Sequence, residues 1–402
     1  MAALFLAPFY LIFNGYVLHW LFCWADACCR SFRPVSLRFP AAVLYWFLAL
    51  SPLTGLLITV DPWHRFLKII GNYWLGTFAF ILSVVLVLDG LRRLTGLSVF
   101  KKSFPAAAIR NAPGILFFSG VVTISLVCTF SIYGILHARK LYLREYRISI
   151  EKSCSPDHLK VALIADLHLG YNTSEEQLKT MVRKINASGP DLICIAGDIF
   201  DNEYEAIQNP EKIASILASL ESRYGVFACS GNHDVSERIL AGFTFPSSEP
   251  LSEDPDFLRF LDLADIRLLE DEVLLIDDSF YLIGRKDPDK ALKEGDSRLS
   301  FARLTENLDH SLPILVMDHQ PGELEEASMA GVDLDLSGHT HGGQIFPGNL
   351  LMDFFWENPW GILKKGSMYS AVTSGVGVWG PAMRIGTDSE IMILDLSFRG
   401  GS

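Results

Sequence analysis

The chain has 402 residues, of which 50% are hydrophobic, and a formal net charge of −12 at pH 7. This length has room for two or more domains. Residues 1–150 carry 14 basic and 4 acidic residues, whereas residues 151–402 carry 20 and 42, so a basic part precedes an acidic part. The acidic part argues against nucleic acid as a partner, because phosphate backbones bind basic surfaces. It does not exclude a small phosphate substrate, since bound metal ions reverse the local charge.

Four stretches in the first third of the chain contain no Asp, Glu, Lys or Arg: Met1–Ala25, Pro40–Val60, Ile69–Leu88 and Asn111–Leu136. Each is long enough to cross about 30 Å of hydrocarbon as a helix. A buried bundle in a soluble protein is the alternative for all four, and a cleaved signal peptide is the alternative for the first. No basic residue precedes the first stretch, and three further apolar stretches follow it. Both features favour a helix that is retained rather than cleaved. Residues 1–137 are therefore predicted to be a four-helix transmembrane region of a multi-pass protein.

The basic residues around these stretches predict an orientation. The loops after the first and third stretches together hold 8 basic residues, and the opposite side holds 6. Cytoplasmic loops are enriched in Lys and Arg, so the two more basic loops are predicted to be cytoplasmic and the C-terminal domain extracytoplasmic. The 8 residues are Arg30, Arg33, Arg38, Arg92, Arg93, Lys101, Lys102 and Arg110.

Residues 138–159 are predicted to be a connector, and residues 160–398 a separate domain. Short apolar runs predict strands over Val161–Ala165, Asp191–Ala196 and Val226–Ser230, with helices over Ser174–Ala187 and Pro210–Ser222 between them. This alternation is typical of βαβ units with a parallel sheet. Further predicted elements are a helix over Phe257–Leu263 and strands over Glu272–Ile276, Phe280–Ile283, Pro313–Met317, Leu334–Leu336, Tyr369–Ser374 and Glu390–Leu396.

Five polar motifs follow apolar runs in this domain: Asp166-Leu167-His168, Gly197-Asp198, Gly231-Asn232-His233-Asp234, Asp318-His319 and Gly338-His339-Thr340-His341. Together they offer carboxylate, amide and imidazole groups in a number sufficient for two divalent cations that share one carboxylate. Such a pair binds phosphoryl oxygens and generates hydroxide at neutral pH, which suits phosphate ester hydrolysis. One of these motifs alone would mean little, but five in this order are a specific signal.

With these motifs in this order, residues 160–398 resemble the calcineurin-like metallophosphoesterases. The likeness is greatest to a bacterial membrane-anchored branch whose last motif reads GHTHGGQ, as Gly338–Gln344 does here. Hydrolases of the lipid A pathway that cleave UDP-2,3-diacylglucosamine are related in motif and in membrane association. The resemblance implies a fold of mixed α/β and α+β class, a two-sheet β-sandwich flanked by helices, behind the four transmembrane helices.

The resemblance also implies roles for the motif residues. Asp166, His168 and His341 would hold one metal ion, Asp198 would bridge, and Asn232, His319 and His339 would complete the shell of the second. His233 would protonate the leaving group or stabilise phosphoryl charge, with Asp234 orienting its imidazole. This mixture of oxygen and nitrogen ligands suits manganese, iron or zinc.

Three features outside the motifs have alternatives that the sequence leaves open. Asp201 is either a partner of a ligand histidine or a solvated loop carboxylate. Arg384 is either a phosphate contact or, as the sequence favours, a surface arginine. The aromatic-rich stretch Phe346–Leu363 is either a core-packing loop or an apolar lip at the bilayer, where aromatic side chains favour headgroup depth.

The sequence thus predicts a membrane-anchored phosphoesterase with two divalent metal ions, acting on a phosphate ester or pyrophosphate. The lipid bilayer is the predicted partner, and the anchor favours a lipid-linked substrate. An activity like that of the UDP-2,3-diacylglucosamine pyrophosphatases is one alternative. A non-enzymatic membrane sensor is the other, and loss of a ligand or of His233 would favour it. The sequence gives no indication of oligomeric state.

Overall fold

The computed structural model describes residues 2–28, 34–94, 113–240, 243–244, 250–251 and 253–399. The chain forms two compact units. The first comprises Met1–Ile135 with the short segments Ile239–Phe245 and Gly380–Met383, and the second comprises the other residues. Among the basic residues used above to predict orientation, Arg30, Arg33, Lys101, Lys102 and Arg110 lie outside the described residues.

The first unit contains four long apolar helices, which confirms that part of the predicted fold. They are α1 (Ala2–Cys28), α2 (Val35–Leu57), α3 (Trp63–Leu94) and α4 (Pro113–Ala138). All four are long and apolar enough to cross a membrane. Apolar side chains face outward along them, as they do where hydrocarbon rather than water is the solvent.

A buried polar network joins the first three helices. The fully buried Asn14 of α1 donates to the carbonyl of Tyr10 (2.8 Å) and accepts from the Tyr45 hydroxyl of α2 (3.1 Å). Trp74 of α3 donates its indole N–H to the Tyr10 hydroxyl at 2.9 Å. Buried polar groups need partners in an apolar medium, so these bonds fix how the three helices pack.

The second unit is built from two six-stranded sheets. The strands are β1 (Leu141–Ile150), β2 (His158–Ile164), β3 (Leu192–Ala196), β4 (Val226–Cys229), β7 (Ile266–Leu268), β8 (Glu272–Ile276), β9 (Phe280–Gly284), β10 (Ile314–Met317), β11 (Leu334–Ser337), β12 (Gly361–Lys365), β13 (Met368–Val372) and β14 (Ser389–Phe398). The first sheet has the order β1-β14-β2-β3-β4-β7 and the second the order β12-β13-β11-β10-β9-β8. The short strands β5 (Ile239–Leu240) and β6 (Phe243–Thr244) pair with each other in the first unit.

The second unit also contains helices, most of which cover the outer faces of the sheets. They are α5 (Glu175–Ser188), α6 (Pro210–Leu217), α7 (Pro255–Leu263), α8 (Pro288–Glu294), α9 (Phe301–Thr305) and α10 (Leu324–Met329). The predicted cap of α5 is confirmed, since the Ser174 side chain accepts from the Gln177 amide.

Three hydrophobic clusters hold the layers of this unit together. Alternate side chains of β2, β3 and β4 pack between the sheets against alternate side chains of β9, β10 and β11. The opposite face of the first sheet packs on α5, α6 and α7, and that of the second packs on α9 and α10. The unit is therefore a two-sheet sandwich flanked by helices, which confirms the predicted fold class.

One segment has a different structure from the one predicted. Residues 141–150, assigned above to a connector, form the edge strand β1, which pairs in parallel with β14 over its whole length. Its sequence alternates apolar and charged residues, a pattern typical of a half-buried edge strand. The partner strand lies about 250 residues later in the chain, so the pairing depends on tertiary structure.

Candidate metal centre

Parallel strands place the motif residues at one edge of the sandwich. In the first sheet β2, β3 and β4 run parallel, and in the second β9, β10, β11 and β13 do. The carboxyl ends of such strands are where α/β sheets bind ligands. The predicted metal ligands each follow a strand end: Asp166 and His168 follow β2, Asp198 follows β3, Asn232 follows β4, His319 follows β10, and His339 and His341 follow β11.

One group of ligand atoms comes from Asp166, His168 and His341, all of which are buried. The Nε2 atoms of the two histidines lie 3.1 Å apart, and His341 Nε2 is 3.5 Å from Asp166 Oδ1. Two atoms bound to one ion at about 2.1 Å are separated by about 3 Å. Two imidazole nitrogens at this distance repel each other unless a proton or a cation lies between them. The group therefore fits a metal ion.

A second group is formed by Asp198, Asn232, His319 and His339. His319 Nε2 is 3.1 Å from Asp198 Oδ2, and the Asn232 Oδ1 atom is 3.1 Å from His319 Nε2 and 2.9 Å from His339 Nδ1. Burial, and then the neighbouring His319, lower the pKa of His339 to about 3, so this imidazole is neutral and its lone pair is free to bind. These four side chains also have the separations expected around a single ion.

Asp198 lies between the two groups. Its Oδ2 atom is 3.1 Å from His319 in one group and 3.8 Å from His168 in the other, while Oδ1 accepts from the backbone N–H of His233 at 2.8 Å. Although burial opposes ionisation, His319 and the other nearby histidines hold the pKa of Asp198 well below its usual range. An ionised carboxylate in this position is suited to contact ions in both groups.

Neighbouring groups orient the histidines. The Ala196 carbonyl lies 2.8 Å from His319 Nδ1 and accepts its proton, which orients the ring so that Nε2 faces the second ligand group. Asp201 is buried, with Oδ1 3.3 Å from His168 Nδ1, so of its two predicted alternatives the partner role agrees with the structure. Carboxylate and carbonyl partners of this kind fix the ring orientation of metal-binding histidines.

Arg384 is not a surface residue, which corrects the reading that the sequence favoured. It is fully buried, and its guanidinium donates to the carbonyls of Ser374 (2.6 Å) and His341 (3.1 Å). Burial lowers its pKa to about 10, although nearby Asp166 opposes this. A buried arginine held by backbone carbonyls fixes the His341 loop.

His233 has a partner that the sequence analysis did not identify. Its Nδ1 atom contacts Asn202 Oδ1. The orientation of that amide is set because Asn202 Nδ2 donates to the Val235 carbonyl at 3.0 Å. The Nδ1 atom therefore carries the proton, and Nε2 is free. Burial lowers the pKa of His233 to about 4, so the ring is neutral at pH 7 without substrate.

Asp234 organises the loop around His233. Its Oδ2 atom accepts from the Gly231 N–H and its Oδ1 atom from the Phe200 N–H, each at 2.8 Å. These bonds tie the GNHD loop to the loop after β3. The role of Asp234 in orienting the imidazole stays a prediction, and the structure supports an indirect route through the backbone.

Backbone conformation marks the same residues. Asp166, His168, Asp198, His339 and His341 all have left-handed backbones, with φ between 43° and 69°. A non-glycine residue in this conformation costs about 1–3 kcal/mol of folding free energy, and such residues are typical of functional sites. The motif glycines allow close approach: a Cβ on Gly231 would lie 2.2 Å from Asp198 Oδ1, so no larger residue fits there without moving that carboxylate.

A third arrangement is also present among the described residues. His168, Asp201 and His233 are close enough together to hold an ion. This set shares His168 with the first group. Because both sets need His168, they are alternative sites for one ion. The metal content of variants distinguishes between them.

A two-sheet sandwich with these polar motifs at its strand ends is the arrangement that the resemblance to the metallophosphoesterases implies. The chain belongs to the calcineurin-like phosphoesterase family, whose model matches residues 159–343. It is 30% identical over 253 residues to an uncharacterized metallophosphoesterase of Bacillus subtilis, a match that covers 60% of this chain and 79% of that protein.

The names of two further relatives refer to a membrane or to a lipid substrate. A transmembrane protein with metallophosphoesterase domain from Danio rerio is 25% identical over 370 residues, covering 90% of this chain and 79% of that protein. The UDP-2,3-diacylglucosamine pyrophosphatase LpxG of Chlamydia trachomatis is 26% identical over 220 residues, covering 46% of this chain and 64% of that protein. The chain spans only about 59% to 60% of the length of the Campylobacter jejuni and Helicobacter pylori metallophosphoesterases that it also matches. With its four apolar helices, the chain is a membrane protein.

Proposed function

We propose that the chain is a membrane-anchored phosphoesterase with a two-metal centre, which hydrolyses a lipid-linked phosphate ester or pyrophosphate. The observation that carries this proposal is the position of Asp198, whose Oδ2 atom lies 3.1 Å from one ligand group and 3.8 Å from the other. Asp166, His168 and His341 would hold one ion and Asn232, His319 and His339 the other, with Asp198 shared. Manganese, iron and zinc all accept this donor set.

Divalent ions bound there would polarise the phosphoryl oxygens and supply a nucleophile at neutral pH. His233 is the residue we assign to the leaving group. Its Nδ1–H is held by Asn202, so Nε2 exchanges the proton. A bound phosphate anion raises the pKa of a nearby imidazole, and this increase from about 4 is what allows His233 to take up a proton and pass it to the leaving oxygen. Asp234 keeps the loop that carries this histidine in place.

Two features support a lipid-linked substrate. The chain carries four helices of membrane-crossing length, so its site meets headgroups at high effective concentration. One relative is named as a pyrophosphatase of UDP-2,3-diacylglucosamine, which makes this lipid a specific second candidate. The family alone does not fix the substrate, because one fold supports many reactions.

Hydrolysis by the full-length protein tests this proposal. We expect the protein in lipid nanodiscs to hydrolyse p-nitrophenyl phosphate or its diester, and to cleave a lipid pyrophosphate such as UDP-2,3-diacylglucosamine faster than the matched UDP-sugar without acyl chains. A chelator should abolish both activities, and added Mn²⁺ or Zn²⁺ should restore them. Equal rates on the lipid and the soluble substrate would refute the proposed preference for a lipid-linked substrate. Metal binding without hydrolysis of any ester would instead indicate a binding or sensor protein.

We also infer that the protein crosses the bilayer four times with the metal centre outside the cytoplasm. The support is the excess of basic residues in the first and third loops, which is a sequence property. Protease added to sealed membrane vesicles of known orientation tests the inference. We expect residues 151–402 to be cleaved only where the extracytoplasmic face is outward. Cleavage from the cytoplasmic face would place the domain inside the cell and redirect the substrate to lipid precursors on that face.

A further inference from the structure

A loop beside the metal centre exposes large apolar side chains. We call residues 346–360 the apolar lip. Phe354 and Phe355 are 82% and 71% exposed. Four other side chains of the lip are also exposed: Phe346, Leu350, Leu351 and Trp360. The exposure of these six side chains excludes the core-packing alternative for this stretch. Exposed apolar side chains concentrated in one loop are typical of a binding site.

Several backbone amides of the lip donate hydrogen bonds within the lip. Two 3₁₀ turns, Gly348–Leu350 and Met352–Phe354, follow each other. The amide of Leu350 donates to Pro347 (3.0 Å) and that of Trp356 to Met352 (3.0 Å). An unpaired amide is costly in an apolar medium. The lip therefore combines outward apolar side chains with a backbone suited to contact with lipid.

The lip is fastened to the metal centre. The Thr340 hydroxyl, between two candidate ligands, donates to the Pro359 carbonyl at 2.6 Å. The Trp356 ring meets His339 edge to face, with centroids 5.3 Å apart. A Cβ on Gly343 would lie 2.4 Å from the Asn349 amide, so the ligand loop and the lip touch backbone to backbone. The lip is therefore in direct contact with the loop that carries His339 and His341.

We propose that the apolar lip docks on the lipid bilayer interface. The occupant follows from two observations. Four helices of membrane-crossing length in the same chain keep a bilayer available to this domain. The lip contains no basic residue and only two charged ones, Asp353 and Glu357, so it binds by inserting apolar side chains rather than by attracting anionic headgroups. Docking should therefore not require anionic lipid and should persist at high salt.

A consequence for catalysis rests on the proposed function. A lipid whose headgroup occupies the metal centre would lay its acyl chains along the lip. The lip would then select lipid-linked substrates from the bilayer.

Photocrosslinking tests the docking without measuring hydrolysis. p-Benzoylphenylalanine is introduced in place of Phe354 in the full-length protein, which is reconstituted in phosphatidylcholine nanodiscs. The matched control carries it in place of Met329, which is 81% exposed on α10. After illumination, mass spectrometry should find phospholipid adducts at position 354 at several times the yield at position 329, with the same result in 0.5 M salt (about 3–5 Å screening length). Equal yields would overturn the proposal. Protein–protein adducts at position 354 would also overturn it and assign the lip to a second copy of the chain.

Activity distinguishes docking from substrate selection. In Phe354→Ser with Phe355→Ser, the ratio of turnover on vesicle-borne ester to turnover on soluble ester should fall by about tenfold. Leu292→Ser with Met329→Ser, which removes two exposed apolar side chains elsewhere, should leave the ratio unchanged. Trp356 and Trp360 are less suitable, because one contacts His339 and the other donates to the buried Glu390. Lipid adducts without hydrolysis of any ester would refute the proposed function and leave the docking intact, whereas an unchanged ratio in the lip variant would refute substrate selection by the lip.

Discussion

Asp198→Ala should lose both metal ions. The full-length wild-type protein is expected to contain about two transition-metal ions per chain. Asp198 Oδ2 lies beside histidines of both ligand groups, so under the proposed assignment its removal would take a charged ligand from each site. The substitution also removes the acceptor for the His233 N–H, so the catalytic loop loses a tether. Elemental analysis of the purified variant measures the first effect, and turnover on a soluble ester should fall to background.

A second buried carboxylate provides the control. Asp335 lies on β11 and accepts from the hydroxyls of Ser337 and Ser370 at 3.0 and 3.1 Å. Burial, reinforced by Asp318, raises its pKa to about 8, so it is mostly neutral at pH 7 and Asn replaces it closely. Asp335→Asn should keep both ions. Full metal content in Asp198→Ala would refute the bridging assignment, and loss of one ion would show that Asp198 serves a single site.

His233→Ala should keep its metal ions and lose turnover. None of the contacts that define the two main ligand groups uses the His233 side chain. The rate should fall by roughly 10²–10⁴, the range for loss of a general acid. The loss should be smaller for p-nitrophenyl esters than for alkyl esters, because a good leaving group needs less protonation. Parallel measurement of metal content and of turnover on both ester types gives the result.

Asn202 offers a matched variant for the same histidine. It holds Nδ1 of His233 but lies in neither main ligand group. Asn202→Ala should also retain both ions and show a smaller fall in turnover, since the imidazole remains but is no longer oriented. Equal losses on p-nitrophenyl and alkyl esters in His233→Ala would refute the acid role. Loss of an ion in that variant would favour the alternative set of His168, Asp201 and His233.

Much of the scaffold is readable from the sequence because it depends on local patterns. Apolar runs of strand length predict β2, β3, β4, β10 and β11, and the structure contains each of them. The four apolar helices follow from length and the absence of charge. The ligand residues are identifiable because each motif directly follows one of these strands, and parallel strands bring such positions to one edge.

Elements that depend on remote partners were harder to predict. The strand β1 was assigned to a connector, because only its pairing with β14 at the other end of the chain makes it part of the sheet. Arg384 belongs to no motif and stands between Met383 and Ile385, so its sequence does not specify the backbone carbonyls that hold it fully buried. Asn202 lies in the short polar run Asp201–Glu203, four residues after Asp198, but this position does not specify its contact with His233.

The sequence by itself determined the class of this protein: which residues can bind metal, which segments are apolar enough to cross a membrane, and the family to which the motifs belong. Tertiary structure alone decided how those residues meet. His168 and His341 are separated by 173 positions in the chain, yet their Nε2 atoms lie 3.1 Å apart. Tertiary structure also leaves Phe354 and Phe355 exposed in the loop beside the site, although phenylalanine side chains are usually buried. Composition and spacing act over a few residues, whereas packing of the two sheets sets distances and burial between segments far apart in sequence.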